Sequence, residues 1–143
     1  MRIAEVIRRK GADVVTVAPE ATVAELVALL AEHKIGALVV SADGGRTVEG
    51  IASERDVVRR LHTDGADVLQ RTVREIMTAE VETCVPEDEL ESLARRMTDL
   101  RVRHLPVVVD GRLHAIVSIG DVVKNRLDEL QDERDQLVTY VQG

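Results

Sequence analysis

A chain of 143 residues that is 45% hydrophobic and 31% charged holds enough apolar material for one shared core, and none of its apolar runs approaches the ~20 residues a bilayer helix needs. Its net charge of −7 and its single aromatic side chain, Tyr140, provide neither the basic surface nor the stacking rings that nucleic-acid binding asks for. Cys84 is the only cysteine, so no internal disulfide can form, and the opening MRIAEVIRRKG lacks a signal-peptide core. The expectation is a cytoplasmic protein with neither nucleic acid nor a membrane as partner.

In chain order, Ile3 to Arg9 reads as a short helical lead, and Val14 to Val17 as a strand that ends before Pro19. Thr22 followed by Glu25 forms a capping box, and Val23, Leu26, Val27 and Leu30 then recur at helical spacing. Ala37 to Val40 is a strand, Asp43-Gly44-Gly45 a turn, and Val48 to Ala52 a second strand, after which Ser53 caps a helix running towards Leu61. His62 to Arg71 reads as a connector, and Val73 to Met77 as a second lead. The order then repeats: a strand at Val81 to Val85, a helix over Leu90 to Leu100, a hairpin of Leu105 to Val109 and Leu113 to Val117 around Asp110-Gly111, and a helix from Ser118. That last helix runs on with Leu127, Leu130, Leu137 and Val141 at heptad spacings, broken by Arg134 on the same seam. It suits packing on its own chain or on a symmetry mate equally well. Acidic stretches such as Asp128 to Asp135 read as solvated helix faces.

The repetition is one of wording as well as order. A shift of 67 residues lays Thr16, Pro19 and Glu20 on Thr83, Pro86 and Glu87. A shift of 65 lays Ile51, Ser53 and Asp56 on Ile116, Ser118 and Asp121. The chain therefore divides into a first unit at 1–62, a connector at 63–72, a second unit at 73–126 and a helical tail at 127–143. Each unit is strand, helix, hairpin, helix, giving an α/β (α+β) fold of two similar modules about a pseudo-twofold axis, with ligand sites where they meet.

Each unit carries Ser-x-x-Asp where a strand passes into a helix. The serine caps, the first-turn amides suit a phosphate, and the aspartate can accept hydrogen bonds from a ribose diol. Gly36, between Ile35 and Ala37, fits either a flat base lying on the backbone or a simple turn. The matching stretch of the second unit, Val102-Arg103-His104, offers cationic donors instead, and Arg55 is a further phosphate donor whose counterpart is Gly120. Lys10 and Lys124 read as structural or solvated residues, with an auxiliary charge at the site as the alternative. Walker loops, zinc-type Cys/His spacings and nucleophile elbows do not occur, and His33, His62, His104 and His114 have no evident acid-base partner, so the chain reads as a binding module with no catalytic residues, no catalytic cofactor and no metal site.

Over almost its whole length the chain resembles a tandem cystathionine-β-synthase-type (CBS) domain pair, or Bateman module, through VVTVAPEATVAELVALLAEHKIGALVV with GIASERD, and through IMTAEVETCVPEDELESLARRMTDLRVRHLPVVVDGRLHAIVSIGD. It is similar, more narrowly, to stand-alone bacterial CBS-pair proteins and to plant organellar CBS-pair regulators of thioredoxin. The resemblance implies two βαββα units packed through their sheets, a homodimer, and an adenosine nucleotide such as AMP, ADP, ATP or NAD(H) in the clefts between units, sensed on behalf of a regulated partner, with thioredoxin a candidate. It implies one site from Ala12, Ile35, Gly36, Ala37, Ile116, Ser118 and Asp121, and another from Thr78, Ala79, Val102, Arg103, His104, Ile51, Ser53, Arg55 and Asp56. A dimerisation module with vestigial clefts is the alternative.

Overall fold

The Thr22 and Ser53 caps set the architecture of the first half. In a computed structural model describing residues Met1–Gly143, the Thr22 hydroxyl accepts from the Glu25 amide, and the Glu25 carboxylate accepts from the Thr22 amide, opening helix α2 (Val23–His33). Before it come helix α1 (Ile3–Lys10) and the two-residue strand β1 (Thr16–Val17); after it come β2 (Ala37–Val40), β3 (Gly50–Ser53) and helix α3 (Glu54–Asp64). A 3-10 turn over Ala66–Gln70 leads into α4 (Val73–Ile76), then α5 (Leu90–Leu100), β4 (His104–Val109), β5 (Arg112–Ser118) and α6 (Ile119–Gln142). The fold is mixed α+β, two similar halves with small sheets and a long C-terminal helix.

Strands order β1-β2-β3 in one sheet, with β1 parallel and β3 antiparallel to β2, and β4 pairs antiparallel with β5 in the other. The β4–β5 hairpin turns through Asp110 and Gly111, both at positive φ (52° and 76°), the backbone that an Asp-Gly pair favours. The expected strand at Val81 to Val85 forms only one parallel bridge, Cys84 with Val107, which repeats the Val17–Val40 pair at the 67-residue shift. Pro86 directly after it and Pro106 on the facing strand, each without an amide donor, prevent a longer ladder. The expected first strand shortens likewise to Thr16–Val17, and the connector contains the end of α3 and a 3-10 turn.

Two apolar clusters form the core. One holds Val23, Leu26, Leu38, Val40, Ala52 and Val57 of the first half together with Val73 and Ile76 of α4. The other holds Leu90, Leu93, Met97, Leu105, Ala115 and Val117 of the second half together with Ile3, Val6 and Ile7 of α1. The two leads thus exchange halves, and the cores cut across the linear division at 1–62 and 73–126. Matching backbone bonds dock them: Ile3 N to Asp88 O and Ala4 N to Pro86 O, both 2.9 Å, against Val73 N to Ala21 O at 2.8 Å and Arg74 N to Pro19 O at 2.9 Å. Every residue of β2 is buried, with Leu38 and Val40 in the first core and Val39, on the opposite face, at 0% exposure. The tail of α6 behaves differently. Leu127, Leu130, Leu137 and Val141 are all exposed and belong to neither core cluster.

Candidate functional site

Strand β3 delivers Ser53 to the start of α3. Its hydroxyl accepts from the Asp56 amide at 3.2 Å, and Asp56 Oδ2 accepts from the Ser53 amide and hydroxyl, both at 2.9 Å. This reciprocal cap fixes the carboxylate at the helix mouth, with Oδ1 free of protein hydrogen bonds. One and two turns of the same face carry Arg55 and Arg59.

The facing wall comes from the second half. Helix α5 ends in the left-handed conformation at Arg101 (φ 56°), and Val102 N closes back on Met97 O at 3.1 Å, reversing the chain so that Arg101, Val102, Arg103 and His104 present themselves in succession. Lys34 ends α2 in the same way, with Ile35 N bonded to Leu30 O. The floor is a two-bond exchange in which Ile51 N donates to Thr78 O at 3.0 Å and Thr78 N to Ile51 O at 2.9 Å.

Between these walls lies a cleft of about 280 Å³ lined by Gly36, Ile51, Ser53, Glu54, Arg55, Asp56, Arg59, Thr78, Glu80, Val81, Glu82, Arg101, Val102, Arg103 and His104. Eight of the nine residues expected for the second site therefore line one cavity, Ala79 being the exception. Electrostatics single the cavity out in an acidic protein. Arg55, Arg59, Arg101 and Arg103 make no salt bridge, whereas most arginines elsewhere, such as Arg60, Arg71, Arg74, Arg96 and Arg126, are paired, with Arg8, Arg46 and Arg112 the exceptions. Of the lining carboxylates, Glu82 is engaged by Arg96 and Asp56 by Ser53. His104 is held below the ordinary histidine range, first by burial and then by the nearby Lys10 and Arg103 charges, with Asp121 and Glu54 pulling the other way. It is therefore neutral at pH 7.

The residues expected for the other site do not line this cavity, except Gly36. Ser118 caps α6 as Ser53 caps α3, but Asp121 Oδ2 accepts from Lys10 Nζ at 2.5 Å as well as from the Ser118 amide at 2.9 Å. Burial pushes that carboxyl up, and the Lys10 and Ser118 hydrogen bonds outweigh it and hold the group below its usual range. Lys10 Nζ also donates to Ile116 O at 2.8 Å. Ala12 is exposed, Ile35 packs at the edge of the first core, and Ala37 is buried opposite Ser53 in the β2–β3 ladder.

Sequence reasoning missed Arg59, Arg101, Glu54, Glu80, Val81 and Glu82. The i, i+4 spacing of Arg55 and Arg59 was a readable signal; the left-handed cap at Arg101 was not, because a non-glycine in that conformation leaves no mark in composition.

Two stretches, residues 3–63 and 73–128, match the CBS domain family. The chain is 38% identical over 125 residues to the mitochondrial CBS domain-containing protein CBSX3 of Arabidopsis thaliana, a match covering 85% of this chain and 61% of that relative's length. A solved CBS-domain containing protein from Agrobacterium tumefaciens superposes with a TM-score of 0.84 at 44% identity, covering 88% of this chain and 99% of the other. A CBS domain protein from Pyrobaculum aerophilum, solved complexed with AMP, superposes with a TM-score of 0.75 at 25% identity over 85% of this chain and 89% of its own. The chain belongs to the CBS domain family and is a CBS-pair regulatory module.

Proposed function

We propose that the cleft between α3 and the Arg101–His104 turn binds an adenosine nucleotide, with Asp56 accepting from the ribose hydroxyls and Arg55, Arg59, Arg101 and Arg103 receiving the phosphates. One observation carries this reading: four guanidiniums without carboxylate partners converge, from both halves of the chain, on a cavity that also holds a capped aspartate with a free oxygen. Guanidiniums bind phosphate oxygens by charge-assisted, often bidentate bonds, and a nucleotide spanning the cleft would join the halves. The AMP in the Pyrobaculum aerophilum relative makes AMP the first ligand to test, with ADP, ATP and NAD(H) behind it.

The bound nucleotide acts as a signal because it stabilises one arrangement of the two halves over another, and a partner that prefers that arrangement gains the same free energy. The module itself works as a homodimer in the cytoplasm and performs no chemistry on the nucleotide. A thioredoxin is the first partner to assay, by pull-down with and without nucleotide. Binding is tested by thermal shift: a ligand selective for the folded state at about 100 times its Kd adds about 2.7 kcal/mol of stability. AMP is expected to raise the melting temperature. No rise with AMP, ADP, ATP or NAD(H) would refute the reading and leave a dimerisation module.

A further inference from the structure

The two leads are unequal. The docking bonds place Ile3 where α4 has Val73 and Ala4 where it has Arg74, so that Ile7 stands in the place of Met77. At that point the paths part. The second lead leaves its helix after Ile76, and Thr78 runs alongside Ile51 in the two-bond exchange that floors the open cleft. The first lead adds a helical turn, Arg8-Arg9-Lys10, before Gly11 ends it at φ 93° with its amide on Ile7 O. Gly11 and Ala12, the counterparts of Thr78 and Ala79, are exposed and form no such exchange with Ile116. Lys10 takes over instead, placing one ammonium on both the Ile116 carbonyl and the Asp121 carboxylate.

We propose that this extra turn makes Lys10 a built-in occupant of the Ser118/Asp121 groove, so that the chain takes one adenosine nucleotide, in the Asp56 cleft, and that removing the turn exposes a second site. The inference rests on the nucleotide reading above and adds the stoichiometry and the residue that sets it. The contrast between the two aspartates supports it. Asp56 is bonded only by its own cap and faces the cavity, while its repeat partner has spent the same oxygen on a lysine from the other end of the chain. Each aspartate keeps Oδ1 free of protein hydrogen bonds, but the charge of Asp121 is already paired with an ammonium, so a ribose hydroxyl, a neutral donor, meets a weaker acceptor there than at the unpaired Asp56. Arg9 holds the turn in place, with Nη1 3.2 Å from Asn125 Oδ1 and 3.7 Å from Asp128 on α6.

The test is calorimetric titration of AMP into the wild-type chain, D56N, D121N, K10M and a deletion of residues 8–10, which gives the first lead the length of the second. The wild type is expected to bind one AMP per chain, with D121N within about twofold of it in Kd. The deletion is expected to bind two, the second lost again when D121N is added. Two AMP per wild-type chain, or a tenfold weakening by D121N alone, would overturn the proposal. Should the deletion not fold, K10M decides: in carboxyl-carbon NMR titrations its Asp121 midpoint is expected to rise clearly above the wild-type value, and an unchanged midpoint rejects the lysine contact. Absence of AMP binding by the wild type would count against the nucleotide reading, while the Asp121 titration would still judge the role of Lys10.

Discussion

Replacing Asp56 by asparagine separates the two tasks of that side chain. Asparagine keeps an oxygen that can accept from the Ser53 amide, so the 2.9 Å cap on α3 survives and the helix start is retained. What disappears is the negative acceptor facing the cleft. Hydrogen bonds to charged groups are worth about 1.5–3 kcal/mol, so AMP affinity should fall about 10- to 150-fold. The loss should be the same for adenosine, which has the ribose and lacks the phosphate. Calorimetry with both ligands measures the affinities, and urea denaturation followed by circular dichroism confirms that stability has changed by less than about 1 kcal/mol, the typical worth of a cap. AMP and adenosine affinities within twofold of wild type would refute the ribose contact, and a loss confined to AMP would move Asp56 to the phosphate end.

Other positions give independent readings. R103Q removes one of four unpaired guanidiniums and is expected to weaken AMP about tenfold, in the range of one charge-assisted bond, while leaving adenosine unchanged; an equal loss for both ligands would contradict the phosphate assignment. His104, whose folded pKa is depressed, should make the protein less stable as pH falls below about 6.5, because the unfolded chain then takes up a proton that the folded one refuses. H104Q should flatten melting temperature between pH 7 and 5, and an unaltered profile would show the imidazole to be free. The carboxylates held low, Asp121, Glu129 and Asp64, are instead expected to cost stability only below about pH 4, when they too must take up protons. G50A would set a β-carbon 2.7 Å from the Thr78 carbonyl and 2.8 Å from Met77 Sδ, forcing α4 away from β3. It is expected to cost about 1–3 kcal/mol and to weaken AMP binding through the displaced Thr78, and an unchanged melting temperature would refute the close approach.

The helices and the hairpin turns were legible because each is written locally. Thr22/Glu25 and Ser53/Asp56 are caps complete within four residues, and Asp110-Gly111 has the residues its backbone needs. The exchange of leads was not legible. The apolar faces of α1 and α4 require burial, but a binary pattern does not say which core supplies it, and only the backbone docking at Asp88 and Ala21 decides. The length of α1 lay between these cases: Arg8, Arg9 and Lys10 suit the negative end of a helix and Gly11 suits its exit, so the extra turn was written in the chain. Its consequence, an ammonium on Asp121, needs two segments more than a hundred residues apart and could come only from the fold. The same holds for the cleft. Repetition brought Ser53 and Asp56 to notice, while the meeting of Arg101 with Arg59 depends on how the halves lie against each other.

The inequality of the two grooves bears on how such a module could transmit anything. A ligand held by two equivalent sites would tighten the halves symmetrically about their axis; one held only at the Asp56 cleft pulls on the Arg101–His104 turn. That turn is tied to the start of α6 by the Arg103 carbonyl, which accepts from Ile119 N at 2.8 Å, and by the pairing of His104 with Ser118. From Ile119 the helix runs 24 residues into an exposed tail, largely polar, that carries a few exposed apolar side chains. A shift at the turn thus has a rigid lever to act on, and the face it would present, Leu127, Leu130, Leu137 and Val141, is free to meet another protein surface. The free energy available to that lever is the difference in nucleotide affinity between its two positions, so a tightly bound nucleotide with no such preference would move nothing. Lys10 enters the same circuit from the other side, because it grips Ile116 and Asp121 on either side of the Ser118 cap. Its grip, with Arg9 on Asn125, ties the base of α6 to α1 at a point away from the Arg101–His104 turn.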